Sequence, residues 1–164
     1  MQRLTAFALL TLFVVSCAHG DSAAPVTYLL KTRPEVEKST GAPTSVKSFK
    51  RTSFVGGMHV VTLDVCTYTG GGLKIPLTIA YTGEVVSSIE LETSYKSDEM
   101  SKALSDVGLN GKRVTVDEAG ALNPLEEIKP FTATWTQEVN KTKPQASLPW
   151  HLRIVREAKR KKVG

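Results

Sequence analysis

Residues 73–93 read LKIPLTIAYTGEVVSSIELET, and this stretch decides the fold. Leu73, Ile75, Leu77, Ile79 and Tyr81 occupy one parity, and Lys74, Pro76, Thr78, Ala80 and Thr82 the other. Successive side chains on a strand point to opposite faces, so this is the pattern of a half-buried strand. Pro76 lacks an amide donor, which favours an edge position or an outward-facing gap in the ladder. Thr82-Gly83 separates the run from a second one, 85–93, and predicts a hairpin. Upstream, 58–68 reads as a further strand with Val61, Leu63 and Val65 on one parity, closed by the turn Gly70-Gly71-Gly72. Together the three runs predict an antiparallel meander.

Working outward, 26–30, 49–55, 113–116, 131–139 and 150–155 are rich in β-branched and aromatic residues and read as strands. Between them, 32–48 is polar, contains Pro34, Gly41 and Pro43, and reads as a long loop. One helix is predicted at 97–107. Ser97 would cap it, Asp98 and Glu99 would complement the dipole of its first turn, and Gly108 would stop it. Its stripe is Met100, Ala103, Leu104 and Val107, at helical spacing. A short helical turn is expected near 123–130, starting at Pro124. The expected class is mainly β, with α+β as the alternative. The architecture would be an antiparallel β-sandwich or a partly open barrel of about seven to eight strands with that one helix.

Motifs for chemistry are sparse. Outside the first residues of the chain, the metal-ligating types are His19, His59, His151 and Cys66, with no CxxC, HxH or HExxH spacing, so neither metal nor cofactor is expected. There is no GxSxG elbow. His59 and Cys66 fall on opposite parities of one predicted strand, which argues against a Cys-His dyad. Glu90 and Glu92 share a parity with Val86 and Ser88 and read as a solvated outer face. Asp64 shares the parity of Met58, Val60 and Cys66, and burial would mark it as functional. Gly70-Gly71-Gly72 lacks the Lys-Ser/Thr of a phosphate loop. Asn140-Lys141-Thr142 matches a glycosylation sequon, which has meaning only in a source with that pathway.

The N-terminal residues carry a different kind of signal. Met1-Gln2-Arg3 is cationic, and 4–15 is apolar apart from Thr5 and Thr11. The run is too short to cross a bilayer, which takes about 20 residues, and has the length of a signal-peptide core. It ends in Val14-Val15-Ser16-Cys17, which resembles the lipobox of bacterial lipoproteins. The resemblance covers residues 1–17 only, and Val14 and Val15 are variants of a motif that favours Leu followed by Ala or Ser. It implies cleavage after Ser16, a diacylglyceryl thioether on Cys17 and an acyl group on its amine. Ala18 in place of Asp implies the outer membrane of a diderm bacterium. A rival cut follows Ala18-His19-Gly20 and would release a soluble chain from Asp21. Under either cut Cys66 has no intrachain partner, so the domain must be held by its core.

The expected organisation is a signal at 1–16, a tether at 17–25, one β-rich domain at 26–156 and a basic tail at 157–164. The formal net charge of +5 is local. Arg153, Arg156, Lys159, Arg160, Lys161 and Lys162, against Glu157 alone, account for all of it. The tail residues Arg156, Lys159, Arg160, Lys161 and Lys162 form a candidate contact patch for anionic lipid or an acidic protein. Export disfavours nucleic acid as a partner.

Three functions are consistent with these features. The first is a non-enzymatic binding or assembly module anchored in the cell envelope through Cys17, facing the periplasm. The second is a lipid or small-ligand carrier with a cavity lined by Leu73, Ile75, Leu77, Ile79, Phe131 and Trp135. The third is a hydrolase using Asp64, Glu90 or Glu92, which requires two acids to converge in a cleft.

Overall fold

The computed structural model describes residues 23–53, 58–110, 114–123, 125–139 and 148–157. Among these lie eight strands and two α-helices. In chain order they are α1 (Arg33–Thr40), β1 (Ser45–Ser53), β2 (His59–Tyr68), β3 (Leu77–Thr82), β4 (Val85–Leu91), α2 (Met100–Val107), β5 (Thr115–Val116), β6 (Leu122–Asn123), β7 (Phe131–Gln137) and β8 (Trp150–Arg156). The molecule is mainly β, as the patterning predicts. Six strands form one antiparallel sheet in the order β1-β2-β3-β4-β8-β7, and β5 and β6 form a two-stranded ribbon. The sheet is open and does not close into a barrel.

The predicted meander is present as β2-β3-β4, and β1 extends it by one strand. Leu77, Ile79 and Tyr81 are fully buried, as their parity requires. Pro76 lies just outside β3, and its carbonyl accepts the Glu92 amide. Leu73 and Ile75 precede the strand and pack on the core from its margin.

Two parities differ from expectation. In β2 the buried residues are Cys66 and Tyr68, while Val61, Leu63 and Val65 are half-buried on the opposite face. Cys66 pairs with Ile79 and Tyr68 with Leu77, so neighbouring β3 fixes which face is inside. In β4 the register shifts: Ala80 pairs with Ser88 but Tyr81 with Val86. Ser87 is therefore the extra residue of a β-bulge, and its hydroxyl donates to the Ala80 carbonyl at 3.0 Å. The bulge sends Val86 inward with Ile89 and Leu91 and leaves Ser88 and Glu90 on the other face.

The inner face of the sheet is covered by helices and ribbon, giving a two-layer molecule. Val36 from α1, Ala103, Leu104 and Val107 from α2, and Leu122 from β6 belong to the same buried cluster as the strand residues. Full burial of each large side chain contributes about 1.5–3 kcal/mol. Helix α2 has the predicted apolar stripe and ends at Gly108, whose φ of 90° is left-handed. Its start differs: Glu99, not Ser97, occupies the cap position, and no side chain caps it. Asp98 therefore lies outside the first turn.

Two further segments depart from the sequence reading. Pro25–Tyr28, expected as a strand, is a 3-10 turn. Pro25 and Tyr28 are buried and Ala23 packs on the core, so the end of the expected tether is docked onto the domain. The expected loop contains α1 and the start of β1. At the start of α1, Glu35 accepts from both the amide and the hydroxyl of Thr32, each at 2.7 Å. Only Val36 and Thr40 of this polar helix are buried, so it carries almost no apolar periodicity. The expected helical turn is present as a 3-10 turn, Glu126–Ile128, and of the strand expected at 113–116 the described residues 114–116 include the short strand Thr115–Val116.

Candidate functional site

Where α1 meets β1 and β2, the apolar core gives way to a chain of polar side chains. Asp64 projects to the inner side of β2, one step beyond Cys66, and α1 brings Arg33 over it. The Arg33 guanidinium donates to Glu37 Oε1 at 2.7 Å and to Asp64 Oδ2 at 3.3 Å. Ser48 of β1 donates to Asp64 Oδ1 at 2.6 Å. The side chains of Arg33, Glu37 and Asp64 are all half-buried. Hydrogen bonding to Glu37 holds the Arg33 guanidinium even more firmly charged than usual.

Deeper on the same face, Tyr68 and Tyr81 share a hydroxyl–hydroxyl hydrogen bond of 2.9 Å. Burial pushes the Tyr68 phenol up to about 12 and raises Tyr81 further. Burial also raises the Cys66 thiol, against a weaker opposing pull from Arg33. A fully buried, neutral thiol is a poor nucleophile. The cluster's chemistry is that of a clasp: it ties α1 to the sheet and leaves no charged group unpartnered.

The candidate acids fall on both faces of the sheet. Asp64 is half-buried and paired with Arg33 on the inner face. Glu90 lies on the outer face, 3.7 Å from Arg153. Glu92 lies just beyond β4 and accepts a hydrogen bond from Thr78. Thr78 is the ladder partner of Glu90 as well, so Glu90 and Glu92 are neighbours on the outer face while Asp64 lies across the sheet from them. No group of three or more His, Cys, Asp or Glu side chains among the described residues is placed to hold a metal ion.

The proposed carrier lining is divided as well. Leu77, Ile79, Phe131 and Trp135 are packed in the core. Leu73 and Ile75 line a small surface cavity of ≈ 190 Å³ with Ala23, Ala24, Pro25, Ser105 and others. Arg156 is exposed at the end of β8, its guanidinium 5.9 Å from the Phe131 ring centre. Cys17, Lys159, Arg160, Lys161, Lys162, His19 and Asn140 lie outside the described residues.

Two surface features were not anticipated. One is an open groove lined by Tyr95, Lys96, Leu148, Trp150 and others, with a volume of ≈ 770 Å³. Trp150 stacks on Trp135 there at a centroid distance of 5.6 Å, and Tyr95 meets Trp135 at 5.9 Å. Residues distant in sequence build this cluster, so no local motif announces it.

The other is the β1–β2 hairpin. Its strands pair one-to-one from Ser45↔Thr67 to Ser53↔His59, whereas β3 pairs with β2 only over Leu63–Tyr68. The remainder of β1 and β2 extends beyond the sheet as a two-stranded arm. Val46 and Phe49 on β1, Met58 just before β2 and Val60 within it are 46, 52, 80 and 66 % exposed. Lys47, Lys50 and Arg51 project from the same strand. Residues 45–63 carry no Asp or Glu, and this sequence pattern was the available signal.

No protein-family model, curated protein or solved structure matches the chain.

Proposed function

We propose that the protein is an exported cell-envelope protein, anchored by acyl chains on Cys17, whose folded domain is a non-enzymatic binding or assembly module. The observation that carries this is the order of residues 1–17: a cationic start, an apolar run of signal-peptide length and a lipobox-like ending at cysteine. Several acyl chains hold a protein on a bilayer far more firmly than one, at about 0.8 kcal/mol per buried CH2. The docking of Ala23 and Pro25 on the core supports a short connection between such an anchor and the domain. The domain would then sit close to the membrane, with its outward surfaces available to partners.

Cys17→Ser, or globomycin treatment, tests the anchor. The wild-type protein is expected in the membrane fraction, and the Cys17→Ser chain is expected to lose its lipid and accumulate as unprocessed precursor. A wild-type protein that is soluble and begins at Asp21 would instead support the secreted alternative.

A further inference from the structure

Strand β1 is an outer strand of the six-stranded sheet, and among the described residues nothing pairs with its outer side. It is nine residues long, and its register with β2 is uninterrupted by any bulge. Such an edge offers a row of unpaired backbone donors and acceptors. Proteins commonly blunt edges with lysine, and β1 does carry Lys47 and Lys50. Yet it is neither short nor bulged, and it leaves Val46 and Phe49 exposed beside its cations.

On one face of the strand the succession is Lys47, Phe49, Arg51, a cation on each side of an aromatic ring. Lys50 faces the other way. None of these three cations forms an ion pair with a described residue, whereas neighbouring Arg33 is held by Glu37 and Asp64.

We propose that β1 is a docking edge for an extended acidic segment of another protein, which adds to the sheet as a further strand. Backbone pairing supplies the attachment, and side chains at alternate positions supply the selectivity. The segment that fits places an apolar residue beside Phe49 and carboxylates two positions away on either side, beside Lys47 and Arg51. A second copy of this chain fits poorly. Antiparallel pairing of two β1 strands about Phe49 would set Lys47 against Arg51, and like charges directly opposite each other are destabilising. The inference rests on the binding-module reading but not on the lipid anchor.

The test uses the mature protein in the presence of phosphatidylcholine vesicles and two synthetic peptides of the nine-residue length of β1. One carries glutamate on both sides of a central valine on one face, and the other carries lysine at those positions. Hydrogen exchange at the β1 amides and peptide anisotropy are read together. The glutamate peptide is expected to slow exchange along β1 about tenfold or more and to bind more weakly as salt rises. The lysine peptide is expected to do neither.

The triple variant Lys47→Glu, Lys50→Glu, Arg51→Glu should reverse the preference, with an unchanged circular dichroism spectrum. Lys47→Gln with Arg51→Gln serves as the milder variant and should weaken the glutamate peptide without gaining the lysine one. The proposal is overturned if neither peptide protects β1. It is equally overturned if protection appears without peptide as protein concentration rises, or on replacing the vesicles with phosphatidylglycerol. Membrane fractionation of the same protein reads the anchor separately, so failure at β1 leaves that result intact.

Discussion

Tyr68 and Tyr81 place two hydroxyls inside an apolar core, and each answers the other. Burial favours the neutral phenol, so the folded chain keeps these protons to higher pH than the unfolded chain, whose tyrosines titrate near about 10. This contribution to stability is complete below about pH 10 and is lost as pH rises towards the folded value of about 12 at Tyr68. Urea midpoints should therefore fall above about pH 10, with tyrosinate absorbance appearing together with unfolding. Ionisation of all the tyrosines at about pH 10 in a still-folded chain would refute this. Arg33 is the companion case. Arg33→Ala leaves Asp64 and Glu37 half-buried without their cation, and the expected loss is about 1–2 kcal/mol in urea unfolding, since solvent already screens part of the interaction. A stability within error of wild type would mean that the clasp contributes nothing to the fold.

At the scale of elements, Gly108 gives the sharpest test. Its φ is 90°, and a Cβ there would stand 2.5 Å from the Ala24 Cβ. Gly108→Ala should cost about 1–3 kcal/mol, measured as a lower urea midpoint with unchanged slope. An unaffected midpoint would show that the junction between α2 and the segment before Tyr28 gives way readily. Helix α2 was legible because Met100, Ala103, Leu104 and Val107 obey helical spacing and a glycine follows. Helix α1 was not, because it buries so little; its legible trace was Thr32 and Glu35 flanking Pro34, the pattern of a capped start. Strand β3 was read correctly from alternation. In strand β4 only the face of Val86 differs from the alternation, because the bulge at Ser87 breaks the period of two, and such an interruption depends on the neighbouring strand. The face of β2 was misread for a related reason. Both of its parities are apolar, and only pairing with β3 decides between them.

At the scale of the whole molecule, the mainly β class and the meander followed from hydrophobic periodicity, while the position of β8 between β4 and β7 did not. Long-range strand order depends on contacts that no local window contains. The candidate acids Asp64, Glu90 and Glu92 looked similar in sequence, and the sheet set Asp64 on the inner face and the other two on the outer one. Conversely, the groove beside Trp150 arises only from assembly, and the exposed β1–β2 arm left only its lack of acidic residues as a trace. No described helix is long and apolar enough to cross a membrane. The proposed attachment is through Cys17. The most direct measurement is the intact mass of the protein purified from the cells that produce it naturally. The account predicts a chain beginning at Cys17 whose mass exceeds that of the polypeptide by a diacylglyceryl group and an amide-linked acyl chain. An unmodified chain beginning at Asp21 would contradict it.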